Sequence, residues 1–328
     1  MYKNSQIFFE ILNELPMMGI GHRHWLVKSP YHKNQKLILR TPTSLKAGFT
    51  SYKQYIEYQE ACYKLLESSC HTPQFIAAVY EHPLYQFGGL LIQYIEGRLP
   101  QKNHDWPRIA SCLASIHRLP THTISRLIPA PTSIWQEIIG TIQHRQPYFQ
   151  QPFIPTAIQN YLKCELDWAI KFFQQHQHKN QPRTIMLYDC HPANFLIDQH
   201  DKAWFLDLEK VTLGHPALDL AHATIITSRS WHPYLEINLS PEDETKFYET
   251  YFQEHSRQSI QDITFFIQPA RRLVWLRTLS WAAEWLAQKK DHPPSNIFDT
   301  KLMARLLEWF KMDFFYNMVG EINSPPTI

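Results

Sequence analysis

Glycine is scarce in this sequence, nine in 328 residues against 23 prolines. A flexible glycine-rich linker is thereby excluded, and each glycine gains positional meaning. Cysteine is scarce as well. Cys62, Cys70, Cys112, Cys164 and Cys190 are an odd number with no C-x-x-C pair, which argues against a disulfide framework or a zinc knuckle and for a reducing compartment. Long apolar runs are missing: stretches such as 87–92 and 185–188 fall far short of the ~20 residues a bilayer-spanning helix needs. The first residues, Met-Tyr-Lys-Asn-Ser-Gln, lack the basic and apolar regions of a secretory signal. A soluble, cytoplasmic protein with no membrane partner is the expectation. Charge of one sign is also lacking, since the formal net charge is +2, charged residues are 19% of the chain and the basic ones are dispersed. Nucleic acid is therefore not an expected partner. The 18 histidines include no H-E-x-x-H pattern and read as composition rather than as a metal site.

What is present suits one bilobal unit or two domains, since domains run to about 100–200 residues and 44% of the chain is hydrophobic. Apolar Ile7, Phe8, Ile11 and Leu12 predict a short amphipathic helix over 5–15. Gly19 and Gly21 then lead through a turn into a strand ending near Val27, and 36–40 form a second strand that stops at Pro42. A helix over 52–66 carries Tyr55, Gln59, Cys62 and Leu66 on one side, with Glu57 and Glu60 on another. Two more strands follow, at 75–80 and 88–94, the second closing at 96–98. The first hundred residues thus read as a small antiparallel sheet with one helix, an α+β arrangement. From Trp106 the pattern turns helical, with Ile109, Leu113 and Ile116 marking a buried face. Further helices are expected at 161–174, 246–252, 265–288 and 300–315. Trp275, Trp281, Trp285 and Trp309 read as core packing.

One segment breaks the helical pattern. Over 184–208, two apolar runs flank the turn-rich 198–201 and predict a hairpin. Asp189 and Asn194 lie across a tight proline-containing loop before it, and Asp207 ends the return strand. Phosphoryl transfer needs a carboxylate near the attacking hydroxyl, oxygen ligands for Mg and cations on the phosphates. Asp189 suits the first task, while Asn194 and Asp207 offer the hard oxygens that Mg prefers.

With these residues in place, the sequence resembles the aminoglycoside and choline kinase-like phosphotransferase family, relatives of the protein kinases. The family's H-G-D-x-x-x-x-N pattern matches at Asp189 and Asn194, its apolar-D-[FL]-[ED] at 206–209, and its G-x-P-x-x-D-L-A at 214–221. The resemblance covers roughly 15–225. It implies a bilobal protein-kinase-like fold, with a nucleotide-binding lobe at 1–97 and a helical catalytic and substrate-binding lobe at 98–328. It further implies ATP or another nucleoside triphosphate, Mg, and a small-molecule hydroxyl acceptor such as an aminoglycoside, choline or a sugar. Residue by residue, it makes Asp189 catalytic and gives the metal to Asn194 and Asp207. Gly19 and Gly21 become the nucleotide-covering turn, and Arg40 the phosphate-binding cation. Glu60, or in its place Glu57, becomes the helix partner of Arg40, and Gln93, Tyr94 and Ile95 become the adenine hinge. Asp219 becomes a brace for the catalytic loop.

The sequence also departs from the family. Leu187 and Tyr188 replace the motif histidine and glycine, and arginine stands at position 40 where lysine is commoner. The alternative these departures raise is a catalytically weakened nucleotide-binding protein that acts through partners. Acceptor-pocket segments are expected at 121–180 and 230–315, where Trp231 and Trp281 would suit a cationic amine or a sugar face.

Overall fold

The computed structural model describes residues 9–16, 21–32, 35–80, 87–101, 104–122, 124–235, 237–253, 255–291 and 296–326. It begins with a five-stranded antiparallel sheet in the order β1-β2-β3-β5-β4. The strands are β1 (Glu10–Glu14), β2 (His22–Lys28), β3 (Leu37–Pro42), β4 (Phe75–Val79) and β5 (Gly89–Gln93). Strand alternation sends Val27, Leu37, Leu39 and Leu91 to one face, where they form a small apolar cluster. The other face carries Ile38, Leu90 and Ile92, which join the main core together with helix α1 (Tyr52–Leu66). The same parity puts Arg40 on the helix-facing side, and the β2–β3 register sets His24 directly opposite it.

α1 starts where Ser51 caps it, its side chain accepting from the Gln54 N–H at 3.2 Å. Tyr55, Ile56, Gln59, Cys62, Tyr63 and Leu66 form its buried stripe. Past β5 the chain changes partners, because β6 (Gly97–Arg98) pairs with β8 (Phe195–Asp198) rather than with the five-stranded sheet. β8 and β9 (Ala203–Phe205) form the expected hairpin, while β7 (Thr184–Met186) pairs with β10 (Thr212–Gly214) and so ties the two ends of the site segment together.

Around these short strands lie α2 (Asp105–His117), α3 (Ile134–Arg145), α4 (Thr156–Gln175), α5 (Ala217–Thr224), α6 (Ile226–Ser230), α7 (Pro241–Phe252), α8 (Arg257–Asp291), α9 (Ile297–Trp309) and α10 (Met312–Asn323). α8 packs along α3, α4, α5 and α10 and forms the spine of this helical part. Trp275, Trp285 and Trp309 are buried in its core as expected, whereas Trp281 is only half-buried, its ring 6.3 Å from that of Trp231. No helix among the described residues is long and apolar enough to cross a membrane.

Two expectations fail. The first helix is not formed: residues 10–14 are strand β1, paired with β2 through a register shift between Ile11 and Asn13. A short apolar segment fits either period, and the open edge of β2 decides for the strand. Residues 5–8 lie outside the described residues. The helix expected over 300–315 is two helices that break at Phe310 and Lys311. The change of direction buries both Trp309 and Phe315, which a straight helix would present on different sides.

Candidate active site

The loop after β7 carries the expected motif in an unusual backbone. Tyr188 sits at φ 67°, in the left-handed region that a bulky side chain rarely adopts and that the family's glycine occupies freely. Contacts with Asp219 and Arg277 help to hold it there. Its N–H donates to Asp219 Oδ1 at 2.9 Å, its carbonyl accepts from Arg277 Nη2 at 3.2 Å, and its ring lies 4.4 Å below the Arg277 guanidinium. Asp219, fully buried on α5, also accepts from the Leu187 N–H at 2.7 Å and lies 3.1 Å from His117 Nε2. His117 is in turn 2.9 Å from the Tyr251 hydroxyl, so α2, α5 and α7 all brace the loop.

Asp189 follows Tyr188 and meets Lys210, whose Nζ lies 2.5 Å from Oδ2. His222 Nδ1 lies 3.8 Å from Oδ1. Burial works against the Asp189 charge, but the Lys210 ammonium, ahead of His191 and His222, outweighs it and holds the carboxyl well below the usual carboxylate range. Asn194 ends a 3₁₀ turn, Pro192–Asn194, and donates from Nδ2 to the Asp189 carbonyl at 2.9 Å. This leaves Oδ1 without a protein partner among the described residues. The Leu206 N–H donates to the Asn194 carbonyl at 2.9 Å, which fastens the segment bearing Asp207 beside it.

Asp207 is in contact with Arg40. Arg40 also donates to Gln59 Oε1 at 2.5 Å and lies 3.0 Å from His22 Nδ1. Burial, with Arg40 beside it, keeps His22 well below its ordinary pKa, so the imidazole is neutral and free to accept from the guanidinium. The expected pairing of Arg40 with Glu60 is not formed. Glu60 bonds Lys64 at 2.5 Å and the Tyr80 hydroxyl at 3.2 Å, while Glu57 lies 4.0 Å from Lys53. Gln59 takes the inward position because it shares the buried stripe with Tyr55 and Cys62, and Glu60 is rotated ~100° away by the helical period.

Glu209 completes the cluster. It accepts from the Tyr55 hydroxyl at 2.8 Å and lies 3.8 Å from both Lys46 Nζ and Lys210 Nζ. Burial pushes its carboxyl up, but Lys46, Lys210 and Arg40 outweigh it and hold the pKa low. Ligand atoms of His22, Asp207 and Glu209 all lie within 4.8 Å of one another. For a hard cation such as Mg, the oxygens of Asp207, Glu209 and Asn194 are the fitting donors, and His22 is already engaged by Arg40.

Of the expected turn, Gly19 lies outside the described residues. Gly21 enters β2 with its carbonyl bonded by the Thr43 N–H at 3.0 Å, and a Cβ there would stand 3.4 Å from Glu209 Oε2. At the hinge, the Gln93 N–H donates to Gln74 and the Tyr94 N–H to the Lys36 carbonyl, at 2.9 and 3.1 Å. These two donors serve the sheet, and Ile95 is the expected hinge residue just beyond them. Sequence reasoning missed His22, Gln59, Lys46, Lys210, His222 and Arg277. Strand parity offered a signal for His22, two residues from His24, and helix phase for Gln59. Lys210 directly follows Glu209 and His222 the 214–221 segment, so chain proximity was their signal, whereas Lys46 and Arg277 come from distant segments and had none.

The five-stranded sheet, the helical part and the charged cleft between them define a protein-kinase-like fold. Residues 20–257 match the model of the phosphotransferase enzyme family, and the chain belongs to that family. Among solved structures it is similar to ethanolamine kinase from Plasmodium vivax, at 17% identity and a TM-score of 0.61 over 94% of this chain and 84% of that one. It is also similar to choline kinase from Cryptosporidium parvum Iowa II, at 14% identity and a TM-score of 0.60 over 97% and 92%. A third likeness is spectinomycin phosphotransferase in complex with ADP and spectinomycin, at 12% identity and a TM-score of 0.58 over 96% and 93%. These identities carry the fold and no substrate. No curated protein sequence matches the chain.

Proposed function

We propose that the protein is a small-molecule kinase that moves the γ-phosphoryl group of Mg-bound ATP to a hydroxyl. The observation that carries this reading is the reach of Lys210, whose single ammonium contacts both the Asp189 and the Glu209 carboxylates. The base side and the metal side of the cleft are thus one charged cluster.

Asp189, ionised and held by Lys210, orients the acceptor hydroxyl and takes its proton as the oxygen attacks the γ-phosphorus. The bond to the β-bridging oxygen breaks, and ADP leaves. Asn194, Asp207 and Glu209 would hold a divalent ion, which would neutralise charge on the phosphate oxygens. Arg40 stands beside Asp207 as the cation for the phosphates, steadied by Gln59 and His22. Gly21 and the hinge at 93–95 are the proposed nucleotide contacts. Residues 1–97 form the proposed nucleotide-binding lobe and 98–328 the catalytic and acceptor-binding lobe. Catalysis on this plan is positioning and electrostatics.

The test is ADP release from Mg-ATP across a panel of hydroxyl acceptors, with Asp207→Ala as the blank. Acceptor-dependent ADP above the blank is the predicted result. Binding of Mg-ATP, seen as a thermal shift, with no ADP from any acceptor would replace the reading with a nucleotide-binding protein that has lost catalysis.

A further inference from the structure

Arg277, on α8, is a buried cation without a counter-ion. Its relative exposure is 8%, and among the described residues no carboxylate lies within salt-bridge distance of it. Its partners are uncharged: the Tyr188 carbonyl and ring, and Nδ1 of His222 at 3.2 Å. Both partners are bound through Nη2, so Nε and Nη1 keep their N–H groups unused, and neither is sealed from solvent. A guanidinium that faces solvent with two nitrogens and has no anion of its own is open to one from outside.

The acids nearby do not supply one. Asp189 is taken by Lys210, and Asp219 by two backbone N–H groups and His117. Glu284, about two turns along α8, is bonded by Arg145 at 2.6 Å. Two more polar groups in this corner lack partners. The Trp231 indole N–H and His191 Nδ1 are buried and unsatisfied, their rings 4.7 Å apart. The indole N–H is a donor and the imidazole nitrogen takes either role by its tautomer, so a bound molecule reaching this corner would meet both.

We propose that the acceptor is an anionic alcohol, whose carboxylate or phosphate is held by a free N–H group of Arg277 while its hydroxyl meets Asp189. This rests on the small-molecule kinase reading above. The spacing suits a compact molecule, because Arg277 Nη2 and Asp189 Oδ1 flank the same His222 nitrogen, at 3.2 and 3.8 Å. Because the Nε–H points to the Nη2 edge and away from Nη1, the two free groups do not form a fork, and either anion takes a charge-assisted hydrogen bond from one of them. Trp231 and Trp281 then wall an acceptor chosen by charge, not an aromatic cage for an amine, which would need a spare carboxylate or a site free of cations.

The test uses the full chain and four hexoses that differ in charge: glucuronate, glucose 6-phosphate, glucose and glucosamine. ADP release from Mg-ATP reads transfer, and thermal shift without nucleotide reads binding. The prediction is a kcat/KM about tenfold to a hundredfold higher for at least one anion than for glucose, with glucosamine lowest, the range charge-assisted hydrogen bonds provide. Arg277→Met should bring the anion-to-glucose ratio close to one, while Arg277→Lys should keep part of it. Circular dichroism confirms that each variant is folded, and the charge order in the parent protein decides the matter even if Arg277→Met is not. Glucosamine preferred over both anions, or an anion preference that survives in folded Arg277→Met, would overturn the proposal and leave the kinase reading standing. Arg277-dependent stabilisation by an anion with no ADP from any sugar would uphold the anion site and count against the kinase reading.

Discussion

Asp189 and Lys210 hold each other's charge, and that gives the cleft a testable pH signature. The Asp189 pKa is depressed in the fold, so its contribution to stability is present above the unfolded value of about 4 and is lost as pH falls below it toward the folded value. The Lys210 pKa is raised against burial by Asp189 and Glu209, so its contribution is present below about 10.4 and is lost as pH rises beyond that. Lys210→Met should flatten both flanks of the stability curve, measured as urea midpoints between pH 3 and 11. Unchanged flanks would separate the two groups. At this scale the sequence showed Asp189, Asn194 and Asp207 because they are close in the chain, and a hairpin brings near neighbours together whatever the rest does. It also displayed the answer it was not asked for. Gln59 stands in line with Tyr55, Cys62 and Leu66, and helix phase outweighs the expectation that an arginine's partner is an acid. Gln59→Glu should therefore draw Arg40 from Asp207 and weaken Mg-ATP binding, measured by titration. Tighter binding would refute that rivalry.

The catalytic loop is an element that cannot hold its own shape. Tyr188 in the left-handed region costs about 1–2 kcal/mol, and Asp219 is the group that keeps it there. Asp219→Ala removes the shared acceptor of two buried N–H groups and of His117, and should cost about 3–5 kcal/mol by urea denaturation. A loss below ~1 kcal/mol would mean the loop is braced by packing alone. The brace was legible from the 214–221 segment, because the motif carries its own geometry. β1 was not. Ile11 and Leu12 satisfy a helical spacing, and only the distant edge of β2 makes them a strand. The break between α9 and α10 was equally hidden, since neither proline nor glycine marks it and burial of Trp309 and Phe315 sets it.

At the scale of the whole molecule, the two parts meet through charge. Arg40, His22 and Lys46 come from the sheet side, and Asp207 and Glu209 from the segment after β9. A nucleotide with its divalent ion would enter this seam, so Mg-ATP at a hundred times its dissociation constant should add about 2.7 kcal/mol of stability. The proposed acceptor chemistry was invisible in the sequence because Arg277 meets the loop at Tyr188 from a helix nearly ninety positions away along the chain. The most direct test of the central claim is to follow a radiolabelled γ-phosphate from Mg-ATP into an acceptor, comparing the parent protein with Asp189→Asn. The predicted result is labelled acceptor from the parent and a rate about 10²- to 10⁴-fold lower from Asp189→Asn, which still binds Mg-ATP. Equal transfer by the two proteins would contradict the account.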